Sequence, residues 1–422
     1  MSYLTYIAFL CTFAVEMNKA TEDFIRMHAE ADVRQLALQG KKYPEVDMTY
    51  ALEQIAGRQK AKTKLPSWAA IDGIVYPPHI SMEQCSSEIT ARYKANITNC
   101  PDPGVTFIDL TGGFGVDFAF IARHFKKAVY VERQAHLCAI SSENFKLLGL
   151  DNAEVVNADG IEYLHQTDYA DLIFIDPARR DDHGGRTYGI ADCTPNVLEM
   201  MDELMQKTAV LMLKLSPMLD WRKAVKDIEE AGEAFVKAVH IVSVDNECKE
   251  LLLIVNSEKR IVNSALRVVC VNLLSNGGSE LFEVSGREFS RQQTGDARYL
   301  SPVTYLFEPN ASVMKAGCFE EIQARFPVVQ LERNSHLFVS DQKISDFPGR
   351  RFEILRTTSM NKRELKAALA DIDRANIAVR NFPLPVAELR KKLKLKDGGD
   401  VFIFATTVAK EGHQLFICRK IG

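Results

Sequence analysis

Two stretches of the chain, Phe107 to Asp117 (FIDLTGGFGVD) and Asp171 to Arg180 (DLIFIDPARR), constrain it more than any others. Each carries an apolar run rich in β-branched and aromatic residues into an Asp, the pattern of a buried strand. A plain core strand has no use for what comes next. After Asp109 stands a turn with Gly112, Gly113 and Gly115, and then the apolar, helix-like run Val116 to Ala122. A strand, a glycine turn and a helix bring backbone N–H groups close to a nucleotide-like ligand. The two stretches together read as the floor of one ligand site.

Between Val105 and about Asn256 strand and helix patterns alternate. Strands are expected at TFIDLTG, KAVYVERQ, AEVVNADG, DLIFIDPA and AVLMLKLSP, with helices at VDFAFIARHF, LCAISSENFKLLG, VLEMMDELMQK and WRKAVKDIEEAG. Alternation predicts βαβ units and a doubly wound, mostly parallel sheet of the Rossmann-like kind. The last two runs, AVHIVSVDN and KELLLIVN, are separated only by Glu247 and Cys248 and must form a hairpin. A seven-stranded α/β sheet closing on an antiparallel hairpin follows. It occupies residues 101–260, behind an N-terminal helical region at 1–100 with helices expected at Thr21–Ala37, Met48–Arg58 and Ser81–Ala95. Residues 261–348 read as a small α+β, ferredoxin-like domain and 349–422 as a basic β-α-β-α-β-β domain.

This architecture resembles the class I S-adenosylmethionine-dependent methyltransferases. A dinucleotide fingerprint anchored on Gly113 and Gly115 wants a small residue at position 118, which is Phe118. The resemblance implies S-adenosylmethionine as cofactor, its methionine part resting on the turn Thr111, Gly112, Gly113, Phe114 and Gly115 beside Asp109. Glu132 at the end of the second strand is implied to take the ribose hydroxyls, and Asp159 with Gly160 past the third to meet the adenine. Gln84, in the helix that leads to the PDPG turn at 101–104, is a further cofactor candidate, with capping the alternative for Ser86 and Ser87.

The second stretch resembles the D-P-P-Y motif of methyltransferases that alkylate exocyclic amino nitrogens. Such a nitrogen is a poor nucleophile, its lone pair being delocalised into the ring. Asp176 and the carbonyl of Pro177, accepting its two N–H bonds, turn that lone pair toward the methyl and stabilise the charge that develops. The chain departs from the motif at Ala178 and at Arg179, whose guanidinium is a substitute for the stacking aromatic. Arg180 and Tyr188, on a glycine-rich stretch at 181–188, are candidate substrate contacts; Lys214 to Pro217 and Trp221 are candidates for the opposite wall, with plain core the other reading of the Trp.

Residues 350–422 hold 16 Lys and Arg against 8 Asp and Glu, whereas the whole chain has a net charge of −4, so a basic tail follows an acidic body. The tail resembles the THUMP-like domain that closes a group of bacterial methyltransferases, and RNA is the implied partner. Arg390, Lys391 and Lys392 are its candidate contacts, a solvated helix face being the plainer reading. Nine cysteines without C-x-x-C or zinc spacing predict reduced thiols, no metal and a cytoplasmic protein. Leu4 to Val15 is too short to span a bilayer, and Met17 is an alternative start. The expectation is therefore an S-adenosylmethionine-dependent methyltransferase acting on an exocyclic amine of an RNA base. An RNA-binding protein with a degenerate methyltransferase domain, or an enzyme alkylating a protein or small amine, are the alternatives.

Overall fold

Strand β1 (Thr106–Asp109) is four residues long and buried from its second residue on, and the sheet that carries the candidate site is built outward from it. In this computed structural model β1 pairs in parallel with β2 (Lys127–Glu132) on one side and with β4 (Ala170–Ile175) on the other. Beyond β2 lies β3 (Ala153–Asn157), also parallel, and beyond β4 lies β7 (Thr208–Leu215), parallel again. The structure describes residues 18–98, 105–179, 189–256, 265–286, 303–408 and 411–421. The chain divides into two compact units, Met1–Lys237 with Leu252–Ser264, and Ala238–Leu251 with Ala265–Gly422.

In the first unit the strands run in the order β7-β4-β1-β2-β3, and the unit also takes in Leu252–Asn256, the last part of β9 (Glu247–Asn256). The sequence changes direction between β1 and β4, so the C-terminal ends of these two neighbours flank the crevice where doubly wound sheets hold ligands. Helices Val116–Ile121 and Ala135–Leu147 provide the crossovers around β2. Helix Gly160–Gln166, which the strand pattern alone did not reveal, provides the one between β3 and β4. Under the sheet Phe107 stacks on Phe118 at 5.5 Å, and Phe118 meets Phe145 at 4.9 Å. Phe118 is fully buried, so the residue that departs from the dinucleotide fingerprint is a core residue. Burial of a side chain this size stabilises by roughly 1.5–3 kcal/mol.

Two expected N-terminal helices are each broken. Thr21–Ala37 divides into Lys19–Met27 and Val33–Leu38, the second capped by Asp32, whose carboxylate accepts from Arg34 N at 2.8 Å. Ser81–Ala95 divides into His79–Gln84 and Glu88–Ile97 because Ser86 turns inward and is buried. Pro66 stands at the first turn of the short helix Pro66–Ala69, where its missing N–H costs nothing.

In the second unit β8 (Phe235–Val244) and β9 are joined through Asp245 and Asn246, with φ of 47° and 67°. The hairpin turn is therefore this pair and not Glu247 and Cys248, because Asp and Asn tolerate the left-handed region that a two-residue turn demands. Strand β10 (Arg267–Leu273) pairs in parallel with β8, and β11 (Ser279–Ser285) pairs antiparallel with β10. Both strands were expected in the small α+β domain; they instead continue the β8 edge, which would otherwise be left as an unpaired ladder. A second sheet has the order β13-β14-β12-β15-β18-β17-β16. Its strands are β12 (Tyr305–Pro309), β13 (Val329–Gln330), β14 (Phe338–Ser340), β15 (Gly349–Ser359), β16 (Asn376–Arg380), β17 (Val401–Val408) and β18 (Gly412–Lys420). With helices Lys362–Ala368 and Val386–Leu393, residues 349–420 follow the β-α-β-α-β-β order read from the sequence. Glu308 on β12 is buried and accepts from Arg350 Nε at 2.6 Å and from Arg380 Nη2 at 2.7 Å, which draws the far edge strand β16 back to β12.

Candidate active site

At the C-terminal end of β1 the chain turns sharply, and each residue of the turn has a different job. Asp109 is buried and its carboxylate accepts from the backbone N–H of Thr111 at 2.9 Å. Burial pushes the Asp109 carboxyl well above the ordinary range, against the pull of the Thr111 N–H, and the nearby charges of Asp117 and Asp176 push the same way. The Thr111 hydroxyl accepts from the backbone N–H of Asp176 at 2.7 Å, tying the end of β1 to the end of β4. Gly112 leaves room for Tyr130, whose ring would lie 2.3 Å from an added Cβ. Gly113 and Gly115 have φ of +56° and +78°, which L side chains avoid, and the Tyr130 hydroxyl donates to the Gly113 carbonyl. Phe114, whose backbone belongs to the turn expected to carry the cofactor, points its ring into the core, 5.1 Å from Trp68 and edge-on to it. An apolar ring between two glycines is drawn to buried aromatic surface rather than to a polar crevice.

The acids at the next two strand ends lie where the alternation predicted. Glu132, the last residue of β2, accepts from Gly113 N at 2.9 Å through one carboxylate oxygen and from Gln134 N at 2.8 Å through the other. It therefore holds the glycine turn in place as well as facing it. Asp159 caps helix Gly160–Gln166, one oxygen accepting from Ile161 N at 2.8 Å, and is exposed. Gly160 is required for closeness, since a Cβ there would lie 2.2 Å from the Leu110 carbonyl oxygen. Gln84 is exposed at the end of its helix. The residue of that segment that reaches the glycine-turn helix is Ser86, whose hydroxyl donates to Asp117 at 2.7 Å.

Asp176 follows β4 directly, and its carboxylate is not solvated on all sides. The Lys214 ammonium, from the end of β7, donates to Asp176 Oδ2 and lies 3.8 Å from Asp117 Oδ2. Asp117 in turn forms an ion pair at 3.1 Å with Lys94, whose side chain is wholly buried. Burial works to raise the Asp117 carboxyl, but Lys94, Lys214 and the Ser86 hydroxyl outweigh it and hold it below the usual carboxylate range. Ser86, Lys94, Asp117, Lys214 and Asp176 thus form one chain of charge and hydrogen bonds under the site. Of these, sequence reasoning selected Asp176 and listed Lys214 only as wall; it missed Lys94 and the role of Asp117. The available signal was Lys214 itself, a cation inside the otherwise apolar run AVLMLKLSP.

Past Asp176, Pro177 is buried and Ala178 is exposed. Ala178 and Arg179 form the short strand β5, which pairs antiparallel with β6 (Cys193–Thr194), a ribbon that gives the motif a fixed exit. Arg180 and Tyr188 lie outside the described residues. Trp221 is buried and covered by the Arg222 guanidinium at 4.3 Å, so it is core and not wall. In the second unit Arg390 is spent internally, donating to the carbonyls of Ala375 at 2.9 Å and Lys396 at 3.1 Å and pairing with Asp397 at 2.6 Å. Lys391 and Lys392 on the same helix are exposed.

Among the described residues no group of three or more His, Cys, Asp or Glu is placed to hold a metal ion, and no helix is long and apolar enough to cross a membrane. Residues 349–420 match a family described as THUMP domain-like, and residues 305–348 one described as a ferredoxin-like domain. A crystal structure of a candidate methyltransferase from Porphyromonas gingivalis W83 superposes with a TM-score of 0.82 at 28% identity, covering 96% of this chain and 98% of that one. A SAM-dependent methyltransferase from Agrobacterium tumefaciens matches at a TM-score of 0.31 and 15% identity, over 40% of this chain and 61% of that one. An rRNA methylase from Streptococcus thermophilus matches at 0.29 and 15%, over 40% and 93%. No curated protein matches the sequence. By its parallel-dominated α/β sheet and its near full-length structural counterpart, the chain has the fold of that candidate methyltransferase, and it ends in a THUMP-like domain.

Proposed function

We propose that this protein transfers a methyl group from S-adenosylmethionine to an exocyclic amino nitrogen of an RNA base in the cytoplasm. The observation that carries the reading is the placement of Asp176 and Pro177 at the end of β4, held by the Thr111 hydroxyl at 2.7 Å beside the glycine turn. The residues present fit the cofactor. A Cβ at Gly113 would meet only the Thr111 carbonyl oxygen, at 3.8 Å, so that face of the turn is open for the methionine part. Each Glu132 oxygen accepts one backbone N–H and keeps a lone pair for a ribose hydroxyl. Asp159 has one oxygen on its helix and the other for the adenine amino group.

When bound, the cofactor supplies an electrophilic methyl. The chain's own part is to hold and orient the nitrogen. Asp176 Oδ1 and the Pro177 carbonyl accept its two N–H bonds, directing the lone pair along one line and stabilising the positive charge that develops on it. The proton that the alkylated nitrogen sheds lies within reach of the same carboxylate. Arg179, Arg180 and Tyr188 are assigned to the base and its phosphate, and the exposed Lys391 and Lys392 to the RNA backbone; the THUMP-like domain supports RNA by analogy alone.

Calorimetric titration with S-adenosylmethionine, its demethylated product and NAD tests the cofactor, with binding of the first two and not the third expected. Asp176→Ala should then abolish methyl incorporation into total RNA while cofactor affinity survives. A folded protein that binds neither S-adenosylmethionine nor its demethylated product would instead support the RNA-binding reading, for which Ala178 and Arg179 speak.

A further inference from the structure

We infer that Lys214 is the positioning residue for Asp176 and makes the site selective for an uncharged nitrogen. The inference rests on the role given to Asp176 above. Lys214 lies one residue beyond Leu213, which pairs with Ile175, so strand register alone places its side chain beside Asp176. Its ammonium donates to Asp176 Oδ2, which leaves Oδ1 as the oxygen turned to a substrate.

The ammonium itself is fixed from behind. Asp117 holds it at 3.8 Å, and Asp117 is held by Lys94 at 3.1 Å and by Ser86 at 2.7 Å. The segment leading into Ser86 is anchored in turn, since Lys64 donates to the carbonyls of Met82 at 2.9 Å and Glu83 at 2.6 Å. The side chains of Lys94, Asp117 and Lys214 are 0%, 10% and 13% exposed, while that of Asp176 is 38% exposed. A rigid, desolvated support therefore ends in the one member of the chain that a substrate can reach.

Charge balance identifies what Lys214 is for. Asp117 pairs with Lys94 at 3.1 Å and stands farther, 3.8 Å, from Lys214, so Lys214 is a secondary partner of Asp117. Its nearer carboxylate, and the one whose charge it chiefly offsets, is Asp176. The nitrogen thus meets a carboxylate whose charge is compensated on its far side, able to accept an N–H bond but poor at attracting a cation. An aromatic exocyclic amine is neutral at physiological pH and fits. An aliphatic amine is an ammonium at that pH, has no lone pair in that form, and is repelled by Lys214 from the carboxylate it would have to reach.

The test uses the full-length protein with Lys214→Met, Lys214→Gln and Lys214→Arg, total RNA and poly-L-lysine as acceptors, and labelled S-adenosylmethionine. Lys214→Met and Lys214→Gln should lower kcat on RNA by about 100-fold, the cost of a misplaced reacting group, with KM and cofactor affinity within about threefold. Lys214→Arg should recover most of the loss. The wild-type protein should leave poly-L-lysine unlabelled, and removal of the Lys214 charge should raise poly-L-lysine labelling relative to RNA. Wild-type kcat in both neutral variants, or poly-L-lysine labelled by the wild type as readily as RNA, would overturn the proposal. Crystal structures of the neutral variants read the positioning without any substrate. Asp176 in its original rotamer would overturn the proposal whatever happens with RNA. Asp176 turned away, in a protein whose wild type does not label RNA, would sink the RNA reading and leave the positioning role standing.

Discussion

The hydroxyl of Thr111 accepts a 2.7 Å hydrogen bond from the backbone N–H of Asp176, joining residues 65 apart in sequence. The same hydroxyl lies 3.4 Å from Asp109 Oδ1, so it serves as acceptor to one strand end and donor to the other. Thr111→Val keeps the shape and removes both, leaving the Asp176 N–H without its acceptor. The expected cost is about 1–3 kcal/mol of stability. Methyl transfer should fall by more than cofactor affinity does, since the bond fixes where Asp176 begins. Thr111→Ser should retain both, as urea denaturation and calorimetry would show; equal behaviour of the two variants would contradict the role given to the hydroxyl.

Asp109 and Asp117 are both buried, yet their carboxyls shift in opposite directions, and the pH dependence of stability should separate them. For Asp117 the folded value lies below the unfolded one, so its contribution is present above the ordinary value of 3.8 and is lost as pH falls through the depressed folded value. For Asp109 the folded value is raised, so stability is fully present below 3.8 and is lost as pH rises toward the folded value. Asp117→Asn should therefore cost about 3–5 kcal/mol at pH 7, because Lys94 is left buried without its charge partner. Asp109→Asn should gain stability relative to wild type as pH rises above about 4. Denaturation midpoints between pH 3 and pH 8 check both signs.

The sheet was legible because its central strands β1, β2 and β4 are largely buried and read as unbroken apolar runs, and because Asp109, Glu132, Asp159 and Asp176 stand at or just past strand ends. Helix Gly160–Gln166 was not legible: at seven residues, with only Leu164 buried, it has too little periodicity to announce itself. The direction of the Phe114 ring was not legible, because position within a loop does not say which way an apolar ring turns; only the presence of Trp68 decides that. Lys94 and Asp117 were invisible for a different reason. Each looks like an ordinary solvated charge until the fold brings residues 23 apart in sequence into one buried pair. The pairing of β10 with β8 was not legible because nothing in an alternating pattern names its partner edge.

His240, on β8, is buried and is kept neutral by the fold well below its ordinary value. Burial lowers its value to about 4, the Arg267 charge adding to the fall and Glu283 opposing it. The unfolded chain therefore takes up a proton near pH 6.5 that the folded chain refuses until about pH 4. Stability should fall across that window as pH drops, by about 3 kcal/mol in total. His240→Gln removes the titration and should flatten the dependence between pH 6.5 and pH 4. A wild-type profile already flat there would show that the imidazole is not held neutral by the fold.

Arg390, Lys391 and Lys392 are adjacent on one helix, yet they should respond oppositely to substitution. Arg390 is committed to the carbonyls of Ala375 and Lys396 and to Asp397, bonds that fasten the helix to the loop after it and to the residue that leads into β16. Its replacement by Ala should lower stability by about 1–3 kcal/mol, since two inward carbonyls lose a charged donor. It should leave the salt dependence of RNA binding unchanged. Lys391 and Lys392 are exposed, and exposed ammonium groups contribute to RNA affinity by releasing counterions from phosphates. Replacing both by Gln should therefore leave stability within about 0.5 kcal/mol of wild type. The slope of log affinity against log salt should become shallower by about 1–2, roughly one for each phosphate contact removed. Filter-binding titrations of total RNA at several salt concentrations measure that slope directly. A slope unchanged in the Lys391 and Lys392 variant would exclude this helix face from the RNA contact and leave its charge as a solvated surface.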